Sequence, residues 1–135
     1  MSTVFAKLNL RTQRPIVVLD APAEFEAELA NLQGVEVERR VSKPAAFEFA
    51  LIFVKSRADI ERCAKALARL PDGDFVLWFA YPKSTSKRYS CDINRDTGWE
   101  AVRALGLDTV RAVAIDADWS ALRFRRVEFI ARASR

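Results

Sequence analysis

Residues 75–99 read FVLWFAYPKSTSKRYSCDINRDTGW, and the character of the chain changes within them at Tyr81. Phe75 to Tyr81 is continuously apolar and rich in aromatic residues, the pattern of a strand covered on both faces, as strands of a parallel sheet are. Beyond it, Lys83, Lys87, Arg88 and Arg95 are interleaved with Ser84, Thr85, Ser86 and Tyr89, a composition that belongs on a surface loop. Thr97-Gly98-Trp99-Glu100 then has the spacing of a capping box, which satisfies the free N–H groups of a helix start. Val102 and Leu105 follow on one helical face, and Gly106 closes it. A buried strand, a polar loop at its carboxyl end and a helix make the repeating unit of an α/β fold.

The same unit recurs upstream. Pro15 to Asp20 (PIVVLD) and Phe47 to Val54 are short, continuously apolar runs that read as two further buried strands. After the first, Phe25, Leu29 and Leu32 share a helical face, with Pro22 in the first turn and Gly34 past the end. After the second, Ser56-Arg57-Ala58-Asp59 is another capping box, followed by the stripe Ile60, Cys63, Ala64, Leu67 and Leu70 and a stop at Pro71-Asp72-Gly73. Val35 and Val37 alternate with Glu36 and Glu38 as in a half-exposed edge strand, and Pro44 interrupts. A parallel crossover takes a dozen or more residues, so residues 35–54 hold either a short strand ending near Glu38 or a hairpin. Val110 to Ile115, the turn Asp116-Ala117-Asp118 and Leu122 to Ile130 read as a strand and its return. Their inward period slips at Arg125-Arg126, where a bulge is expected.

Composition narrows the chemistry. The 135 residues suit one domain; 22 Lys plus Arg against 18 Asp plus Glu give +4, which permits an anionic partner without demanding one. Histidine is absent, so an acid or base would have to be a carboxylate, lysine, tyrosine or cysteine. The longest apolar runs fall far below the roughly 20 residues that cross a bilayer. Val4 to Leu10 is broken by Lys7 and Asn9, unlike a signal peptide, so a cytoplasmic location with reduced thiols is expected.

A chain that opens VVLDAP into a helix, continues DFVLWFAYPK into a polar loop and ends DADWSALRFRRVEFI resembles a family of short, uncharacterised bacterial proteins with a truncated Rossmann-like methyltransferase fold. The resemblance covers nearly the whole chain and implies one three-layer α/β domain over residues 1–135. Its sheet would be mostly parallel and Rossmann-like, with a C-terminal antiparallel hairpin. It implies no particular activity. True methyltransferases and dinucleotide-binding domains place a glycine-rich turn after the first strand so that the ligand can approach the backbone. Here the turn is Asp20-Ala21-Pro22, without glycine and with one N–H missing at Pro22. No cofactor is expected, neither S-adenosylmethionine nor a nicotinamide dinucleotide in the usual pose.

Ligands of open α/β sheets bind beyond the carboxyl ends of the strands. That edge gathers the candidate ligand-binding residues Asp20, Ser56, Tyr81, Lys83, Ser84, Ser86, Lys87, Arg88 and Trp119. Hydroxyls and cations in this mixture suit non-catalytic binding of a phosphate-bearing small molecule or a protein partner; a solvated connection is the plainer alternative. A small transferase using Asp20, Tyr81 or Lys83 in the same crevice is the rival. Ser84-Thr85-Ser86-Lys87 matches S-x-x-K, but the S-D-N and K-T-G partners are missing. Cys91 is near Lys87, Arg88 and Arg95, which would favour a reactive thiolate, yet no histidine can pair with it and a structural thiol is the simpler reading. Asp116 and Asp118 read as turn residues that bond their own backbone before they read as a metal pair. Trp119 is expected to be the more exposed tryptophan, at a hairpin tip. Arg123, Arg125, Arg126, Arg132 and Arg135 read as a solubilised sheet edge in preference to a nucleic-acid surface.

Cys63 belongs to a helix stripe and Cys91 to a loop, so no disulfide is expected between them. Alkylation of the denatured protein without reductant should modify both thiols, as read by intact mass; two protected thiols would contradict this.

Overall fold

The computed structural model describes residues 3–13, 15–32, 34–41, 47–67 and 69–133. Pro44 and Arg135 therefore lie outside the described residues. In chain order the elements are α1 (Thr3–Lys7), β1 (Ile16–Leu19), a 3-10 turn (Ala23–Phe25) running into α2 (Glu26–Ala30), β2 (Val37–Glu38), β3 (Phe49–Phe53), α3 (Arg57–Ala66), β4 (Val76–Pro82), α4 (Glu100–Arg103), β5 (Leu107–Ala114), β6 (Trp119–Arg126) and α5 (Val127–Ala133). One six-stranded sheet has the order β2-β1-β3-β4-β6-β5. β1 to β4 run parallel, and β6 is antiparallel to both β4 and β5. The chain is thus α/β and mostly parallel, with the return strand inserted between its two neighbours.

The uncertain joint resolves as the short strand. β2 pairs with one side of β1 (Ile16 with Val37) and β3 with the other (Val17 with Ala50), so the two never form a hairpin. All residues of β3 and β4 are buried because both faces are covered. On one face Ala50, Ile52, Leu77, Phe79 and Phe124 pack against Ile60 and Cys63 of α3, Leu67 at its C-cap and Val102 of α4. On the other, Phe49, Leu51, Phe53 and Trp78 pack against Phe5 and Leu8 of the N-terminal segment and Phe25 and Leu29. Trp78 Nε1 donates to the Leu8 carbonyl at 2.8 Å, fixing the end of α1 on the sheet. α1 was not expected from sequence: five residues are too few for a periodic pattern to show.

Three expectations are corrected. The Ser56 box forms, with Ser56 Oγ accepting from Asp59 N at 3.1 Å and Asp59 Oδ2 from Lys55 N at 2.9 Å. The Thr97 box does not: Trp99 is the N-cap of α4 without a side-chain cap, and Asn94 Oδ1 takes the N–H groups of Asp96 and Thr97 instead. The period slip at Arg125-Arg126 is no bulge; the strand ends there and α5 begins, while the bulge lies in β5 between Thr109 and Arg111. Nor do Arg123, Arg125 and Arg126 form a sheet edge. β6 is interior, Arg125 is bonded to Asp74, and Arg126 donates to the carbonyls of Pro71 and Gly73 while lying over the Phe75 ring.

Phe124 is fully buried, with ring centroids 5.6 Å from Phe79 and 5.3 Å from Trp99. Truncating such a ring leaves a cavity, so Phe124→Ala is expected to cost about 3–5 kcal/mol in urea unfolding, against less than about 0.5 kcal/mol for Val110→Ala on the exposed edge. Equal losses would contradict this placement of the core.

Candidate functional site

The carboxyl ends of β1, β3 and β4 meet the β5–β6 turn, because Pro82 pairs with Trp119 at the start of β6. Asp116 Oδ1 accepts from the N–H groups of Asp118 and Trp119, each at 2.8 Å, which fixes that turn. The fixed turn then holds the 83–98 loop: Lys83 N donates to the Asp118 carbonyl and Ser86 Oγ to Asp118 Oδ1, both at 2.8 Å. Ser86 Oγ in turn accepts from Arg88 N and Tyr89 N at 3.2 Å. A loop that looks solvated in sequence is therefore pinned to the β5–β6 turn over its first half.

Pinning divides the crevice in two. Over β1 and β3 it is closed by side chains. The Tyr89 hydroxyl donates to Glu24 at 2.5 Å, Trp119 Nε1 donates to the same oxygen at 3.3 Å, and Arg88 stands 3.8 Å away. The Tyr89 ring lies 5.0 Å from Trp119, with Lys55 Nζ 5.1 Å from its centroid. Trp119 also stacks edge-on against Phe53 at 5.1 Å and is 1% exposed, so it is not the exposed tip residue expected from sequence. The Tyr89 hydrogen bond, more than the Arg88 charge, holds the Glu24 carboxyl below its ordinary range; the same bond pushes the Tyr89 phenol up. Asp20, exposed just after β1, takes a left-handed conformation (φ 58), which aspartate tolerates better than most residues.

Over β4 the crevice stays open as a pocket of about 360 Å³, lined by Tyr81, Pro82, Lys83, Ser84, Thr85, Ile93, Asn94, Arg95 and Ser120. Tyr81 reaches it from the last turn of a buried strand, and burial pushes its phenol up against the opposing effects of Arg95 and the Ser120 hydroxyl. Gly98 supports the far wall: it sits at φ +100, and an added Cβ would overlap the Ile93 side chain. Among the described residues no carboxylate lines this pocket; the polar groups of its lining are hydroxyls, an amide and two cations.

Of the candidate residues, Tyr81, Lys83 and Ser84 line the pocket, while Ser86, Arg88 and Trp119 build the closed half. Ser56 caps α3, and Lys87 and Asp20 are exposed outside both. Sequence reasoning missed Glu24, Asn94 and Ser120. Ser120 faces the pocket only because β6 pairs with β4, Tyr81 opposite Ser120, and no local pattern carries that information. Cys91 is no thiolate: burial raises its pKa, and its thiol donates to the Ile93 carbonyl at 3.0 Å. Burial likewise pushes Cys63 up to about 11.

The Glu24–Tyr89 bond makes a pH-dependent contribution to stability. Glu24 has a depressed pKa in the fold, so its contribution is present above the unfolded carboxyl range and lost as pH falls through it; Tyr89 has a raised pKa, so its contribution is lost in alkali. The stability difference between wild type and Tyr89→Phe should therefore be greatest between about pH 6 and pH 9 and shrink below about pH 4. A difference constant from pH 3 to pH 7 would show that Glu24 is not the partner.

No protein-family model matches the sequence, and no curated protein matches it by sequence. Solved structures do resemble the fold. The N-methyltransferase NodS from Bradyrhizobium japonicum WM9 matches with a TM-score of 0.54 at 13% identity, covering 93% of each chain. A SAM-dependent methyltransferase from Aquifex aeolicus matches at 0.52 and 12%, over 90% of this chain and 87% of that one. The [4+2]-cyclase SpnF matches at 0.50 and 10%, over 91% and 78%. The residues after β1 do not fit a cofactor held by a glycine-rich turn: Ala21 carries a Cβ where such a turn has a bare backbone, and Pro22 has no N–H. The chain has a Rossmann-like, methyltransferase-like fold.

Proposed function

We propose that this chain binds a small molecule bearing a phosphate or carboxylate group in the pocket over β4. The observation that carries the reading is the lining itself. Tyr81, Ser84, Thr85 and Ser120 offer hydroxyls, Asn94 an amide, and Lys83 and Arg95 positive charge. Charge-assisted hydrogen bonds of this kind are the strong ones, and an apolar wall of Pro82 and Ile93 gives the rest of a ligand a surface to cover. Recognition rests on charge and hydrogen bonding and not on covalent chemistry, since Ser84 and Thr85 have no base to activate them and a phenol with a raised pKa is a poor one. The fold likeness to methyltransferases favours a second reading, a small transferase acting in the same crevice with a donor bound elsewhere than at the turn after β1.

A thermal-shift screen of nucleotides, phosphorylated metabolites and carboxylic acids tests this. Wild type and Lys87→Ala, whose side chain lies outside the pocket, should respond alike. The Lys83→Ala/Arg95→Ala variant should fold but bind any stabilising ligand about ten- to a hundredfold more weakly, an effect that shrinks with added salt. Identical responses from all three proteins would refute the pocket. Turnover of a stabilising ligand would favour the transferase reading.

A further inference from the structure

A second cluster of cations lies on the sheet face that α1 covers, away from the pocket. Arg123 of β6 pairs directly with Arg111 of β5 on one side and with Trp78 of β4 on the other, so the three side chains share one face in a row. Arg111 extends back along this row, its guanidinium 6.0 Å from the Trp78 ring. Like charges directly opposite on neighbouring strands destabilise a sheet. The nearby carboxylate relieves them only in part: Asp74 acts on Arg123 through its charge, but its hydrogen bonds, at 2.6 and 2.9 Å, go to Arg125. Burial, and then the charges of Arg125 and Arg111, act against the protonated Arg123, with only Asp74 in its favour.

The Arg123 Nε–H is buried and has no acceptor among the described residues. Leaving a charged donor unsatisfied is costly, and so is a pair of facing guanidiniums. One bound oxyanion would relieve both, since a guanidinium presents its N–H groups in a fork matched to phosphate. We infer that Arg111 and Arg123 form a site for a phosphoryl or similar tetrahedral oxyanion, held against the sheet beside Trp78. Arg111 is exposed and so gives the anion access from solvent, while the Trp78 face keeps its guanidinium over the row. This site shares no residue with the pocket over β4 and stands whether or not that pocket binds anything.

Inorganic phosphate is the probe, and the Lys83→Ala/Arg95→Ala protein is the background, so that the pocket cannot contribute. In that background phosphate should raise Tm by about 10 °C at concentrations near a hundredfold Kd, relative to chloride at equal ionic strength. Adding Arg123→Met should weaken phosphate binding at least tenfold and at the same time leave Tm in phosphate-free buffer unchanged or higher, because it removes the orphaned donor and the facing charge. Arg111→Gln, at an exposed position, should weaken binding similarly and guards against a folding defect in the first variant. A response to phosphate no greater than to chloride, or one that survives both substitutions, would overturn the site.

Discussion

The pairing of β6 with β4, Trp119 opposite Pro82, is the constraint on which the upper end of this molecule depends. It delivers the Asp116–Asp118 turn to the carboxyl end of β4, where Asp118 holds Lys83 and Ser86. It also drives Trp119 into the core against Phe53, and from there its indole N–H and ring position Glu24 and Tyr89. Were β6 instead an outer strand, Ser120 would not face Tyr81 and the loop would lose its anchor. One strand register therefore decides both which half of the crevice is closed and which is open.

This dependence explains what was legible in the sequence. β3 and β4 announce themselves because burial on both faces makes them uniformly apolar, and the Ser56 cap is a local bond between residues three apart. Fold class follows from such local signals and their order. The Thr97 box failed although its spacing was right: the Thr97 N–H goes to Asn94, three residues upstream, and the helix takes Trp99 as its N-cap. Glu24 and Tyr89 were invisible as a pair: 65 residues separate them, and only the folded sheet brings them together. The slip at Arg125-Arg126 was read correctly as a break in period and wrongly as a bulge, since a strand that ends and a strand that bulges give the same local pattern.

The fold itself does not settle chemistry, as structures named as N-methyltransferase and as cyclase share it at similar levels of likeness. What distinguishes this chain is the treatment of the turn after β1. Where a glycine-rich turn would have a bare backbone, the chain has Ala21 and Pro22, and Tyr89 is bonded to Glu24. Donor groups are concentrated instead over β4, on residues that the loop and β6 supply together.

The direct test of this rearrangement is a calorimetric titration of S-adenosylmethionine into the protein, repeated with Tyr89→Ala to open the closed half. No saturable heat is expected from either protein, because removing Tyr89 supplies neither the glycine nor the N–H that the turn lacks. A micromolar dissociation constant for the native protein would contradict it.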